Sequence, residues 1–506
     1  MTRVLFATSE IYPLIKTGGL ADVAGALPAA LAQEDVSVKV LTPGYPQVLE
    51  RLREHGPVEP LTSLGDPLGT GPARLLQGQL PAASAETPPL TIWVMDSPSL
   101  FQREGGPYVD AAGNDWQDNA LRFGAFSKVA ARLATPQSPV DWKPQVLHLQ
   151  DWQTGLAAAY LHLHPGPGPK AATVITIHNI AYAGNFSSSW MERLELPPAL
   201  FSMHGVEFFG NLSFLKAGVF YSHQITTVSP SHAWEIQTPE GGHGLHGLLA
   251  GRSEDVTGIL NGADYDTWDP QKDPHLNTPY GPKSLDKKAS NRAAVLEEMG
   301  LPSPGIDTKR DKKSEKGSIP LASSEPLFGV VGRMTRDKGF DLILEALDEI
   351  VSHGSLVVLG SGDPALERGF GEAARRHPRR VAIRIGYDEP LAHRIIAGSD
   401  LFLMPSRMEP CGLTQMYSMR YGTPPVVRRV GGLADSVDDA DPTGQGTGFV
   451  FDPPTPEALA KAALRGASLF ATPRKWRKLQ RLSMARDLSW ERSAARYLEI
   501  YRSLIP

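Results

Sequence analysis

Short apolar runs alternate with stretches of helical spacing along almost the whole chain. In the first half the runs fall at 4–7, 36–41, 91–95, 146–149, 173–177 and 225–228, and in the second half at 327–331, 356–359, 381–385, 401–404 and 425–427. Between them apolar residues recur at helical intervals, as at Leu20, Ala24, Leu27 and Leu31. Strands alternating with helices predict two open α/β domains, each with a mainly parallel sheet. Sheets of this kind bind ligands beyond the carboxyl ends of their strands. Two such domains are expected to face each other across a deep cleft. The expected boundaries are 1–255, 256–485 and a terminal segment 486–506, with Ile259 to Asp264 read as a strand and turn entering the second domain. A helix over 489–504 carries Tyr497, Ile500, Tyr501 and Leu504 on one face and must dock on something. The polar stretch 302–325 reads as a flexible surface loop with no chemistry of its own. No repeat of solenoid length is present.

At 506 residues the chain exceeds a single ordinary core. Its 41% apolar and 21% charged residues suit a globular protein. The 50 basic and 55 acidic residues nearly balance, which argues against a nucleic-acid partner held by a basic face. One cysteine, Cys411, excludes an internal disulfide and fits a reducing compartment. No apolar run reaches the length of a membrane span, and Met1-Thr2-Arg3 leads straight into a strand without a signal segment, so the expected location is the cytoplasm.

Candidate chemistry gathers just after strands. Lys16-Thr17-Gly18-Gly19-Leu20-Ala21-Asp22 joins the first strand to the first helix. Gly18 and Gly19 let a ligand approach the backbone, the helix start offers N–H groups, and Lys16 adds a point charge for phosphate. Gly332-Arg333-Met334-Thr335-Arg336-Asp337-Lys338-Gly339 repeats the arrangement before a helix from Phe340. There Arg333 and Lys338 bracket a loop able to hold a diphosphate. After 401–404 comes Pro405-Ser406-Arg407-Met408-Glu409-Pro410-Cys411-Gly412-Leu413-Thr414-Gln415. Its helix is expected to start at Gly412 and to seat an anion, with Glu409 placed for a sugar hydroxyl; a glutamate there also serves as a simple dipole partner. Asp151 and His178 end strands in the first half beside aromatic residues, a setting common to sugar sites and, for the histidine, to ordinary cores.

Other patterns carry less. Gly242 to Gly247 matches GxGxxG but does not follow a strand into a helix. Asp264-Tyr265-Asp266 and Asp439-Ala440-Asp441 match an Asp-x-Asp metal motif that acidic turns produce by chance, and His162 and His164 lack metal-site spacing. No metal or cofactor is expected.

In order along the chain, Lys16-Thr17-Gly18-Gly19-Leu20, Asp151-Trp152, His178-Asn179-Ile180-Ala181-Tyr182, Thr227-Val228-Ser229-Pro230 and Asn261-Gly262-Ala263-Asp264 resemble the bacterial glycogen synthases and plant starch synthases. Gly332-Arg333, Lys338-Gly339, Ile385-Gly386-Tyr387 and the run Pro405 to Gln415 continue the likeness. The resemblance implies a GT-B fold of two Rossmann-like domains, acceptor side first and donor side second, with the terminal helix returning to the first. It implies metal-independent, retaining transfer of glucose from ADP-glucose to the 4-hydroxyl at a non-reducing end of an α-1,4-glucan such as glycogen. By that likeness Arg333 and Lys338 neutralise the leaving diphosphate, helped by N–H groups from Cys411, Gly412, Leu413 and Thr414. Lys16, with Gly18 and Gly19, meets the donor's phosphates. Glu409 holds the transferred glucose and His178 its 6-hydroxyl side. Asp22, Asp151 and Asn261 line the sugar and acceptor region, and Tyr387 lies by the base.

The chain departs from the family's pattern at Gln150, where histidine is usual, at His246 for aspartate and at Val430 for threonine. Tyr417 stands where the wider retaining GT-B group often has a second glutamate. UDP-glucose as donor, a small acceptor and a catalytically inactive glucan-binding protein are the alternative readings. A nicotinamide oxidoreductase is disfavoured by the misplaced GxGxxG.

Overall fold

The computed structural model describes residues 1–81, 88–302 and 325–505. Most of the stretch expected as a polar surface loop, 303–324, lies outside the described residues. By its contacts the chain divides into two units, Met1–Gly262 with Ser489–Pro506, and Ala263–Leu488.

The first unit is built on a nine-stranded sheet. In spatial order its strands are Val256–Gly258, Gln224–Thr227, Ala172–Ile177, Val146–Gln150, Thr2–Ala7, Val36–Pro43, Leu90–Asp96, Ala73–Leu80 and Glu59–Gly65. All neighbours are parallel up to Leu90–Asp96. Ala73–Leu80 and Glu59–Gly65 then add an antiparallel edge. Their alternation of buried and exposed positions, with Gly78 and the exposed end of Glu59–Gly65, gives no continuous apolar run. The sequence pattern therefore misses this hairpin. Strand Val256–Gly258 pairs with Gln224–Thr227, so residues just beyond the expected 255/256 boundary sit in the first unit's sheet. Ile259 to Asp264, expected as a strand and turn, is a loop after that edge strand.

Thr2–Ala7 has the next strand, Val36–Pro43, on one side and Val146–Gln150 on the other. This change of direction makes a switch point at the carboxyl end of the first strand, where open α/β sheets admit ligands. Helix Gly19–Gln33 starts there and buries Leu20, Val23, Ala24, Leu27 and Leu31. The terminal helix Trp490–Leu504 packs in the same unit, burying Trp490, Ala494, Tyr497, Leu498 and Tyr501 in its core.

The second unit carries a six-stranded sheet, all parallel, in the order Val381–Ile385, Ser355–Gly360, Leu327–Val331, Leu401–Met404, Pro425–Arg428 and Phe449–Phe451. Leu327–Val331 is its switch-point strand. The helix expected from Phe340 is broken at Ala346 into Phe340–Glu345 and Leu347–Val351.

One polar line crosses the first unit's core. Tyr501 hydroxyl lies 2.8 Å from His148 Nδ1, His148 Nε2 lies 2.6 Å from Thr176 Oγ1, and Thr176 Oγ1 lies 2.6 Å from Thr226 Oγ1. Burial, and after it the neighbouring His178, pushes the His148 pKa from 6.5 down to about 3. The unfolded chain thus binds a proton below 6.5 that the folded chain refuses. The stability from this group is complete above its unfolded pKa and is lost as pH falls toward 3, with a limiting slope of about 1.4 kcal/mol per pH unit. His148→Gln is expected to make the acid limb of a denaturant-derived stability profile shallower between pH 6 and about 4. An unchanged limb contradicts the assignment.

Candidate functional site

In the first unit the Lys16 loop is held from behind by Glu10, a residue the sequence reading does not single out. Glu10 is buried at 3% exposure just past the first strand. Its Oε1 accepts from Thr17 Oγ1 at 2.6 Å and from the Tyr108 hydroxyl at 2.5 Å. Its Oε2 accepts from the N–H of Thr17 and, at 3.3 Å, of Gly18. One carboxylate thus satisfies the backbone donors of the turn. The sequence signal for Glu10 is only its place after the strand, and nothing local announces Tyr108, 98 positions away.

Lys16 is exposed, with Nζ 2.7 Å from Asp22 Oδ1. A Cβ built on Gly18 or Gly19 meets no protein atom within 4 Å. Packing within the protein therefore does not require glycine at either position; the space in front of them is open.

Asp151 and His178 lie together at the ends of adjacent strands. Asp151 has a left-handed φ of 54° and is buried. Its Oδ1 accepts from the N–H of His178 at 2.7 Å and of Asn179 at 3.4 Å. Burial raises its pKa to about 7, those two hydrogen bonds opposing and the charge of Glu10 adding to the rise. His178 Nε2 donates to Gln150 Oε1 at 2.7 Å, which leaves Nδ1 as the acceptor. Burial holds the ring well below its ordinary pKa, so it is neutral at pH 7. Asn261 is buried beyond the edge strand, and its Oδ1 has no hydrogen-bond partner among the described residues.

In the second unit two loops meet at the switch point. Lys338 Nζ lies 2.7 and 2.6 Å from the two oxygens of Glu409, and Ser406 Oγ donates to Glu409 Oε2 at 2.9 Å. Glu409 is buried at 6% exposure. Arg407 adds a two-pronged bond to Asp341, at 2.7 and 2.9 Å. Close approach of the loops depends on Gly339, whose φ is +73° and whose Cβ would lie 2.2 Å from the Pro405 carbonyl oxygen. Arg333 is exposed on the same turn, and its guanidinium makes no hydrogen bond or ion pair among the described residues.

The helix expected from Gly412 begins at Thr414 and is only seven residues long, Thr414–Arg420. Gly412 takes a φ of +69°, outside helical space, so it belongs to the turn before the helix, with Leu413 as the cap and Thr414 as the first helical residue. Cys411 is buried and forms no disulfide, consistent with packing. Tyr387 follows the edge strand and is 81% exposed, its hydroxyl 2.8 Å from Glu389 Oε2.

The discounted motifs have local tasks. Asp264 caps its own turn through the N–H of Asp266 and Thr267, and Asp439 pairs with Arg465. The run 242–247 is a turn entering the short helix His246–Gly251 after another helix, Pro230–Glu235, with no strand between. Lys16, Asp22, Asp151, His178 and Asn261 therefore belong to the first unit, while Arg333, Lys338, Tyr387, Glu409 and Cys411 to Thr414 belong to the second.

Gln150 is fully buried and its Nε2 has no hydrogen-bond partner among the described residues. A neutral imidazole there can still accept from His178 at one ring nitrogen and carries one N–H in place of the amide's two. Gln150→His is expected to fold with an unchanged or higher melting temperature and to keep catalytic turnover within about threefold, against the roughly 1–3 kcal/mol that an orphaned buried donor costs. Loss of all turnover contradicts this reading of the loop.

Residues 3–251 match the family described as the starch synthase catalytic domain, and residues 311–478 match glycosyl transferases group 1. A glycogen synthase of Paramagnetospirillum magneticum is 49% identical, over 99% of this chain and 97% of that protein. A glycogen synthase of Thioalkalivibrio sulfidiphilus is 46% identical, over 99% of this chain and 100% of that protein. Among solved structures, the catalytic domain of starch synthase IV from Arabidopsis thaliana, bound to ADP and acarbose, is 31% identical with a TM-score of 0.83, covering 100% of this chain and 99% of that one.

Proposed function

This chain belongs to the glycogen synthase family of GT-B glycosyltransferases, and we propose that it moves glucose from ADP-glucose to the 4-hydroxyl at a non-reducing end of an α-1,4-glucan, with retention at the anomeric carbon. The bond from C1 to the diphosphate oxygen breaks while a bond from C1 to the acceptor oxygen forms on the same face. The acceptor's proton passes to the departing phosphate oxygen, so no protein nucleophile is needed.

Negative charge develops on the leaving diphosphate, and fixed cations there lower the barrier most. Arg333 supports this role through its open guanidinium, which can take two phosphate oxygens at once. Lys338 supplies the second charge, oriented in advance by Glu409. The N–H groups of Gly412, Leu413 and Thr414 add neutral donors to the same anion. Glu409 retains lone pairs for hydroxyls of the transferred glucose, and Tyr387 offers a ring to the base. In the first unit Lys16 meets the donor phosphates over the open face of Gly18 and Gly19. His178, neutral, accepts or donates at the 6-hydroxyl side, while Asp22, Asp151 and Asn261 serve the sugar and acceptor region. An Asp151 pKa near 7 leaves a mixed population able to donate to or accept from a sugar hydroxyl at neutral pH. A cytoplasmic setting belongs to the same reading, with a nucleotide-sugar donor and a lone cysteine that forms no disulfide. Among the described residues no helix is long and apolar enough to cross a membrane.

The observation that carries the proposal is the unpartnered Arg333 beside the Lys338–Glu409 pair at a switch point. Arg333→Ala is expected to lower kcat by about 10²- to 10³-fold with glycogen affinity nearly unchanged. Steady-state kinetics and a glycogen sedimentation assay measure the two quantities. Unchanged turnover overturns the role of Arg333.

A further inference from the structure

A cavity of about 820 Å³ in the first unit is lined by none of the residues assigned above. Three arginines, Arg53, Arg103 and Arg122, contribute to its wall, against one acidic residue, Glu104. Arg103 already shares its charge with Asp118, at 2.9 Å. Arg53 is exposed, and its guanidinium makes no hydrogen bond or ion pair among the described residues.

Arg122 is the unusual member. Its side chain is fully buried, and it donates to carbonyl oxygens of Leu100 and Pro107, both at 2.9 Å, and to Asn119 Oδ1 at 2.7 Å. No carboxylate pairs with it among the described residues, and Nη2 has no partner. A guanidinium stays charged even when buried, and a cation without a counter-ion in a low-dielectric wall projects its field into the adjoining space. The buried Tyr45 hydroxyl beside it likewise has no hydrogen-bond partner among the described residues. Tyr45 and Phe101 meet edge to face at 5.5 Å and give the cavity an apolar side.

The cavity also backs onto the donor loop. Ile15, which lines it, directly precedes Lys16. The helix bearing Arg53, Pro46–Glu54, also carries Arg51, whose Nη1 donates to the carbonyl oxygen of Pro13 at 2.6 Å and of Leu14 at 3.3 Å.

We propose that this cavity is a second binding site, for a phosphorylated sugar, with the phosphate on Arg53 and Arg103 over the charge of Arg122 and the sugar ring against Tyr45 and Phe101. The volume is ample for a hexose phosphate and falls within the usual range of small-molecule sites, roughly 300–1,000 Å³. Such a ligand places the missing counter-charge beside Arg122 and touches the segment that leads into Lys16.

The test is titration of glucose 1-phosphate into the full chain with ADP saturating, so that the donor phosphate site is already filled. Calorimetry reads the heat, and tryptophan fluorescence reads Trp116, whose ring centre lies 4.8 Å from Arg103 Cζ. Saturable binding is expected, with glucose itself binding at least about tenfold more weakly and Arg53→Ala weakening the phosphate ester by about tenfold, the loss of one charge-assisted bond. Arg53 is exposed, so the variant is expected to melt as the parent does. The proposal is overturned if no saturable binding occurs, if ADP abolishes it, if glucose binds equally well, or if Arg53→Ala leaves it unchanged.

Discussion

The candidate site of the second unit depends on one charge pair. Lys338 and Glu409 come from loops that leave adjacent parallel strands, and the ammonium is gripped by both carboxylate oxygens. Removing one partner of such a pair leaves the other charge in a poorly solvated place, so the loops hold together or fail together. The backbone makes the contact possible, because Gly339 brings its turn against Pro405 at a distance no side chain permits. Arg407 and Asp341 then brace the same two loops from a second point. With the lysine fixed in this way, Arg333 remains as an open cation on a turn that is already positioned.

The first unit uses an acid where the second uses an ion pair. Glu10 collects the donors of the Lys16 loop, and Asp151 collects those of His178 and Asn179. Both carboxylates sit at carboxyl ends of strands, where unpaired N–H groups must find acceptors. Burial, with a smaller push from the charge of Glu10, raises Asp151 toward neutrality, and burial keeps His178 uncharged. Neutral and partly protonated groups gather there, in contrast to the cations Arg333 and Lys338 of the second unit.

Much of this was legible in the residues themselves. Parallel strands buried on both faces announce themselves as apolar runs, so the two parallel sheets and the loops after their strands could be read directly. The antiparallel edge Ala73–Leu80 and Glu59–Gly65 could not, because a half-exposed strand dilutes the apolar signal. Helix lengths were also hidden. The turn after Gly412 depends on a left-handed glycine that the pattern read as a helix start. Lys338 and Glu409 were both visible, yet their bond joins positions 71 residues apart and only the fold brings them together. Glu10 and Tyr108 were missed for the same reason, with no local pattern to connect them. The family resemblance supplied chemical roles for the residues it named, but no reason why those side chains stand where they do.

Glucosyl transfer from ADP-glucose, as proposed, rests on fixed protein cations. It is tested most directly by following labelled glucose into glycogen from ADP-glucose and from UDP-glucose side by side, with no metal added and a chelator present. Strong incorporation from ADP-glucose is expected under these conditions. Incorporation from UDP-glucose alone would contradict the donor, and no incorporation from either would contradict the reaction.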